Sequence, residues 1–329
     1  MDFNSLKVVV TGASGFIGSH LAERLTIEGA DVRCFVKYNS RNSIGNLEYV
    51  ESAVRKNLKI TFGNVEDPIL VKRLIDGADI VFHLASLIGI PYSYIANYSY
   101  VQTNVLGTLH VLQACREHSV SRLVHISTSE VFGSGQYFPM DELHPLNAQS
   151  PYAASKIAAD KLVQSFICSY DLPAVIIRPF NTFGPRQSSR AIIPSIVSQL
   201  FRDDELHVGT LSAVRDFTFV DDIVSGIVAA GIRDQILGEE INLGTGRGVQ
   251  IKELVDKCVE ITGCQKKVRQ TSERLRPPKS EVMKLICNAT KARSLLDWSP
   301  SFTVERGLVL TASFIKNNLS SYQDVGFAI

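Results

Sequence analysis

The sequence predicts an α/β fold: a doubly wound parallel sheet with a smaller C-terminal α/β lobe closing over the sheet's carboxyl edge. Three observations predict it. Short β-branched runs alternate with longer segments of helical spacing, the order that produces a parallel sheet covered on both faces. A glycine-spaced turn joins the first of these runs to the first helix. The chain has 329 residues, more than one core normally holds, so one large lobe with a smaller companion is expected.

The elements follow in order. Leu6–Thr11 is a buried strand, and after the glycines Ile17, Leu21 and Leu25 fall four apart on one helix face. Asp31–Val36 and Leu58–Phe62 are the second and third strands. Asp67-Pro68 sets a capping side chain before a proline suited to a first helical turn, so a helix begins there and runs to about Gly77. Asp79–His83 is a fourth strand, Asn97–His118 a long helix and Arg122–Ser127 a fifth strand. Ser150-Pro151 repeats the cap-then-proline signal and opens a helix to about Tyr170, before a strand at Pro173–Arg178. Beyond Pro179 the texture changes. Pro185–Ser189 is polar and turn-rich, Ile192–Phe201 helical, Val220–Arg233 helical, Glu240–Leu243 strand-like and Ile251–Thr262 helical. "SERLRPPKSE" at 272–281 is the least regular stretch. The expected division is a nucleotide-binding lobe over 1–180, with a returning segment near 216–244, and a substrate lobe from 181–215 and 245–329.

Apolar residues make up 45% of the chain and charged residues 20%, the balance of a soluble globular protein. A net charge of +1 suggests neither nucleic acid nor an anionic membrane as a partner. The cysteines at 34, 115, 168, 258, 264 and 287 form no CxxC pair, which suits reduced thiols better than a disulfide frame or zinc site; no metal is expected. "MDFNSLKVVV" enters a strand at once and reads as no signal peptide, and no run approaches ~18 apolar residues, so a cytoplasmic location is expected. There is no internal repeat.

"VVVTGASGFIGSHLAERL" places Gly12, Gly15 and Gly18 between strand and helix. The first glycine permits the tight turn, the second lets backbone approach a diphosphate, and the third lets helix pack on strand. The helix N-terminus then faces the phosphates, giving a Rossmann-like dinucleotide site from Gly12, Ser14, Gly15, Phe16, Ile17 and Gly18. The second strand ends in "CFVKYNSRNS", with Lys37 and Arg41 and no acidic residue to take a ribose 2′-hydroxyl. These cations favour NADP, with NAD possible; they equally suit a solvated loop. "FGNVEDP" offers Asn64 and Val65 as an adenine rim.

"SPYAASK" sets Tyr152 and Lys156 one helical turn apart. An ammonium beside a phenol favours phenolate, so Tyr152 can act as a base well below its free pKa of ~10, although an i,i+4 pair is also an ordinary helix-surface feature. Together with "TGASGFIG", "HLAS" (83–86), "TNVLGT" (103–108), "STSEVFG" (127–133), "RPFNTFGPRQ" (178–187), "RDFTFVDD" (215–222) and a tail with "RPPKSEV" and "DWSP", the chain resembles the extended short-chain dehydrogenase/reductases, in the nucleotide-sugar epimerase/dehydratase group. The resemblance implies that Thr128 completes a Thr/Tyr/Lys triad with Tyr152 and Lys156. It implies that Leu84, Ala85 and Ser86 line the cofactor, and that Asn181 and Arg215, with Arg190 and more weakly Arg276, hold a substrate diphosphate. Arg suits bidentate phosphate contacts. It also implies a homodimer through the helices near 97–118 and 151–170, whose apolar stripes include Val105, Leu109, Leu112, Ile157, Leu162 and Phe166.

Glu130 decides the expected reaction. Oxidation at sugar C4 acidifies the C5 hydrogen; a carboxylate within ~3 Å can remove it, and the C6 hydroxyl leaves as water. The family's 4,6-dehydratases carry Asp-Glu or Ser-Glu where this chain has Ser129-Glu130, and its 4-epimerases usually lack the acid. In "LIGIPYSYIANYSYVQTNVLGTLHVLQA" (87–114) and "YNSRN" (38–42) the chain most resembles the N-acetylglucosamine 4,6-dehydratases of the legionaminic acid type, which implies a UDP- or GDP-sugar substrate. UDP-glucuronate decarboxylases share "TSEVFG" but differ around Tyr and Lys. A nucleotide-sugar 4-epimerase and a non-catalytic NADP-binding sensor are the remaining alternatives.

Overall fold

The computed structural model describes residues 2–322. Its strands are β1 (Lys7–Thr11), β2 (Asp31–Lys37), β3 (Lys59–Gly63), β4 (Ile80–His83), β5 (Arg122–Ile126), β6 (Ala174–Pro179), β7 (Asn181–Phe183), β8 (Glu205–Val208), β9 (Val214–Phe219), β10 (Glu240–Leu243), β11 (Gly248–Gln250) and β12 (Lys267–Gln270). Seven of them form one all-parallel sheet in the order β3-β2-β1-β4-β5-β6-β10. The order reverses between β1 and β4, and it is outside the carboxyl ends at such a switch point that open α/β sheets bind ligands.

The two faces of the sheet can be read from strand alternation. Val8, Val10, Phe82, Val124, Val175 and Ile177 belong to one core cluster, together with the helices Phe16–Ile27 and Val220–Ile232. Val9, Val81, Leu123, Ala174 and Ile176 belong to a second, with the helices Gly107–Glu117 and Pro151–Tyr170. Both cap-then-proline signals are realised. Asp67 accepts from the Ile69 and Leu70 amides ahead of the helix Pro68–Ile75, and Ser150 accepts from Ala153 N ahead of Pro151–Tyr170. The expected long helix is present but passes through a wide π segment, Val101–Leu106, on its way from Asn97 to Glu117.

The later chain holds elements that hydropathy alone does not mark: β7, β8, β9, β11 and β12, and the helices Thr290–Leu296 and Val304–Asn317. β9 lies between β7, parallel, and β11, antiparallel, while β8 pairs with β12. β10 then rejoins the main sheet beside β6. Two acidic residues of "RDFTFVDD" tie this part together. Asp216 accepts from the Thr245, Gly246 and Cys287 amides, and Asp222 from those of Ser301 and Phe302. Trp298 of "DWSP" donates its indole N–H to the Asp222 carbonyl.

Candidate active site

The glycine turn has the geometry of a phosphate cradle. Gly12 sits at φ +70°, and a Cβ there would stand 2.7 Å from the Ala85 amide nitrogen. A Cβ on Gly18 would overlap the Gly12 carbonyl. The helix that follows starts at Phe16, with no capping side chain and no acidic residue in its first turn. Its N-terminal amides therefore suit an anion. Ser14 is fixed by its carbonyl, which accepts from Asn46 N at 3.0 Å, and Ile17 is half-buried beside it. Across the turn, the Thr11 hydroxyl accepts from the Leu84 and Ala85 amides, both at 3.1 Å, and Ser86 donates to Asn104. Asn64 and Val65 follow β3; the Val65 side chain is buried, its methyls filling the space above Gly107. Lys37 ends β2 and Arg41 follows in the loop, both exposed and without an ion pair among the described residues.

The chemistry-bearing groups gather where one sheet face turns polar. Two residues on from Val9, Val81, Leu123 and Ile176 stand Thr11, His83, His125 and Arg178, all buried. The helix Pro151–Tyr170 lies over them and brings Tyr152, Ser155, Lys156 and Asp160 down onto this surface. Lys156 Nζ donates to the Ile126 carbonyl at 2.7 Å. Burial lowers its pKa to about 8, against the pull of Asp160.

Tyr152 is 7% exposed and packs edge-on to Tyr100, 6.2 Å between ring centres. Burial pushes its phenol up, the facing Thr128 hydroxyl pulls it back, and Glu130 and Tyr100 push it further. Burial thus works against the lowering expected from Lys156. Lys156 is held by a backbone carbonyl, and desolvation governs the ring.

Thr128 caps the turn Ser129–Phe132, its hydroxyl accepting from Glu130 N at 3.2 Å; Ser129 is buried. Glu130 keeps 13% of its side-chain surface and has Arg276 Nη1 at 3.8 Å. Arg215, nearly buried, lies 3.4 Å from Glu281 and is subject to the charges of Glu130 and Arg276. Arg276 thus faces the Glu130 carboxylate, and Arg215 is near enough to feel its charge. The buried Oδ1 of Asn181 in β7 has no hydrogen-bond partner among the described residues. Arg190 is exposed, and close enough to Tyr100 for its charge to be felt there.

The apolar stripes expected to face a second subunit differ from the ones exposed. Leu112 is fully buried and Phe166 8% exposed; Leu109 and Leu162 pack in the same cluster, and Ile157 against the other core. Among the apolar side chains exposed on or near these helices are Ile95, Tyr98, Val101, Leu106 and Tyr170. Sequence reading also missed Asp160 on the catalytic helix and the side chains beneath it: buried His83, His125 and Arg178, and part-exposed Glu240. Asp160 had a signal, lying four residues beyond Lys156 in "YAASKIAAD".

Comparison with known proteins identifies the family. The family described as GDP-mannose 4,6 dehydratase matches residues 9–311. A dTDP-D-glucose 4,6-dehydratase of Dictyostelium discoideum is 32% identical over 78% of this chain and 62% of its own length. A UDP-glucose 4-epimerase of Mycolicibacterium smegmatis is 30% identical over 95% of this chain and 99% of its own. The crystal structure of a double mutant of the dTDP-glucose 4,6-dehydratase DesIV from Streptomyces venezuelae, with NAD and DAU bound, superposes with a TM-score of 0.87 at 28% identity, covering 96% of this chain and 98% of that one. Among the described residues no helix is long and apolar enough to cross a membrane. The chain belongs to the extended short-chain dehydrogenase/reductase family of nucleotide-sugar epimerases and dehydratases.

Proposed function

We propose that the protein is a nucleotide-sugar 4,6-dehydratase acting on UDP- or GDP-N-acetylglucosamine. The observation that carries this reading is Glu130: a half-buried carboxylate beside Thr128 and Tyr152, held opposite Arg276 and near Arg215. An epimerase has no use for a base at C5. The cofactor cradle is Gly12 to Gly18 with Leu84, Ala85 and Ser86, and its nicotinamide, when bound, accepts and returns the hydride. The absence of an acid at the end of β2, with Lys37 and Arg41 there instead, supports NADP over NAD.

Tyr152 takes the proton of the C4 hydroxyl, Thr128 hydrogen-bonds the same oxygen, and Lys156 supplies positive charge beneath the phenol. Glu130 removes the C5 proton and delivers a proton to the departing C6 hydroxyl, since Ser129 cannot serve as the acid. Asn181, Arg190, Arg215 and Arg276 hold the diphosphate and sugar. The active form is a homodimer in the cytoplasm.

One observation favours a second reading. Arg276 opposite Glu130 would also seat the carboxylate of a uronate, as a UDP-glucuronate decarboxylase requires. A panel of nucleotide sugars followed by mass separates them. Loss of water supports the dehydratase, loss of carbon dioxide the decarboxylase, and an unchanged mass with altered stereochemistry an epimerase. Stoichiometric NADP binding with no turnover leaves a sensor.

A further inference from the structure

A row of ionisable side chains runs through the interior beneath the catalytic helix. Asp160 is fully buried; its Oδ2 accepts from Ser127 Oγ at 2.7 Å and from Arg178 Nη2 at 3.0 Å. Arg178, also fully buried, reaches Glu240 Oε2 at 2.5 Å, and Glu240 is 19% exposed at the far end, where Gln164 donates to it. Lys156, 4% exposed, lies one turn before Asp160 on the helix. His125 Nε2 stands 3.4 Å from Asp160 Oδ1, not aligned for a hydrogen bond, and the His83 ring is 5.5 Å from that of His125.

Buried charges are costly, and such clusters are often replaced by apolar side chains at no loss of stability. The arrangement of this one suggests what it is for. Burial holds His125 down to about 4 and His83 well below its usual value, so both are neutral near pH 7. The remaining signs then alternate from the helix to β10: Lys156 plus, Asp160 minus, Arg178 plus, Glu240 minus. The row sums to zero only while Lys156 is protonated. Arg178 has one carboxylate on each side: Glu240 offsets the positive charge of Arg178, which otherwise opposes the ammonium of Lys156.

We propose that Asp160 is a positioning residue that keeps Lys156 cationic, with the Arg178–Glu240 pair holding Asp160 in place for that task. This rests on the reading in which the charge of Lys156 assists Tyr152. Facing Lys156 are His83 on β4, His125 on β5, Arg178 on β6, and Tyr152 and Asp160 on its own helix. Of these, Asp160 is the anion that favours the ammonium; Arg178 opposes it.

The test is direct titration of Lys156 in the whole protein carrying isotope-labelled lysine, following its Cε resonance by NMR and assigning it by its loss in Lys156→Met. Asp160→Asn keeps the shape and removes the charge. The midpoint should fall by about one unit or more, a tenfold change in the protonation constant. Glu240→Gln, at the exposed end, should lower it less. Where Asp160→Asn fails to fold, the titration of Glu240→Gln decides the matter. A Lys156 midpoint that stays in place in the folded variants overturns the proposal. The pH profile of turnover gives the second readout. Turnover needing the ammonium is present below the Lys156 midpoint and lost above it, so its alkaline limb should move to lower pH in step. A midpoint that falls while the alkaline limb stays supports the role of Asp160 and removes Lys156 from the proposed mechanism.

Discussion

Glu130→Gln should have two opposite effects. The amide keeps the shape but cannot accept the C5 proton. Loss of a general base typically costs ~10²–10⁴ in rate, or about 3–5 kcal/mol of barrier. Oxidation at C4 uses Tyr152, Thr128 and Lys156, so it should persist, leaving reduced-cofactor absorbance and a bound 4-keto sugar. The second effect follows from the ion pair. Unit charges 3.8 Å apart interact by about 4 kcal/mol at the effective dielectric of a protein surface. Arg276 is 25% exposed and the pair is screened, so about 1 kcal/mol remains. A substrate diphosphate competes with Glu130 for that arginine. Without the carboxylate, the nucleotide sugar should bind about fivefold more tightly while dehydration collapses. Isothermal titration gives the first quantity, and single-turnover absorbance with product mass the second. Normal dehydration would make Glu130 a structural residue of its turn; weaker binding would mean that Arg276 does not meet the phosphates.

Tyr152→Phe should abolish oxidation at C4 and leave cofactor binding nearly intact, because its ring packs on Tyr100 and its hydroxyl does the chemistry; near-parental turnover would remove Tyr152 as the base. NADP should bind more tightly than NAD, and Lys37→Ala with Arg41→Ala should narrow the gap; equal affinities in the parent protein would refute the ribose reading. Gly12→Ala should weaken cofactor binding at least tenfold by fluorescence titration, since its Cβ would meet the Ala85 amide at a φ that side chains avoid; parental affinity would count against the cradle. Light scattering at micromolar concentration should give a dimer, and Val101→Glu should weaken it, because Val101 is exposed on its helix, like Tyr98 and Leu106, whereas Leu112 and Phe166 are already used within the chain; a monomeric parent would remove the dimer.

What was legible in the sequence is what has a local cause. Asp67 and Ser150 cap the helices they precede because a side-chain oxygen two or three residues upstream is enough. The glycine turn is legible for the same reason. β9 was missed because "VRDFTF" runs without a break into a buried helix, and the partners that make it a strand, β7 and β11, are three residues each. The polar sheet face was missed for a different reason. His83, His125, Arg178 and Glu240 lie on four different strands, and only parallel register brings His83 level with His125 and Glu240 level with Ile176. The Glu130–Arg276 pair joins residues from distant parts of the chain, so spacing carries no sign of it.

The same burial moves the two central groups in opposite directions: Tyr152 upward, Lys156 downward to about 8. Both shifts oppose ionisation, since each charged form loses water in the same dry layer. A phenolate and an ammonium formed together cost less than either alone, because each supplies the other's missing counter-charge. Lys156 can contribute its share only if it is protonated before the phenol gives up its proton, and Lys156 without Asp160 would be the easier of the two to neutralise. The carboxylate one turn below Lys156 therefore bears on the basicity of Tyr152, although it touches neither the ring nor the sugar. Acting directly on the phenol, Glu130 and Asp160 both push it upward. Arginines that draw on the Glu130 charge reduce that opposition, which links the substrate-facing ion pair to the base on the helix across the site.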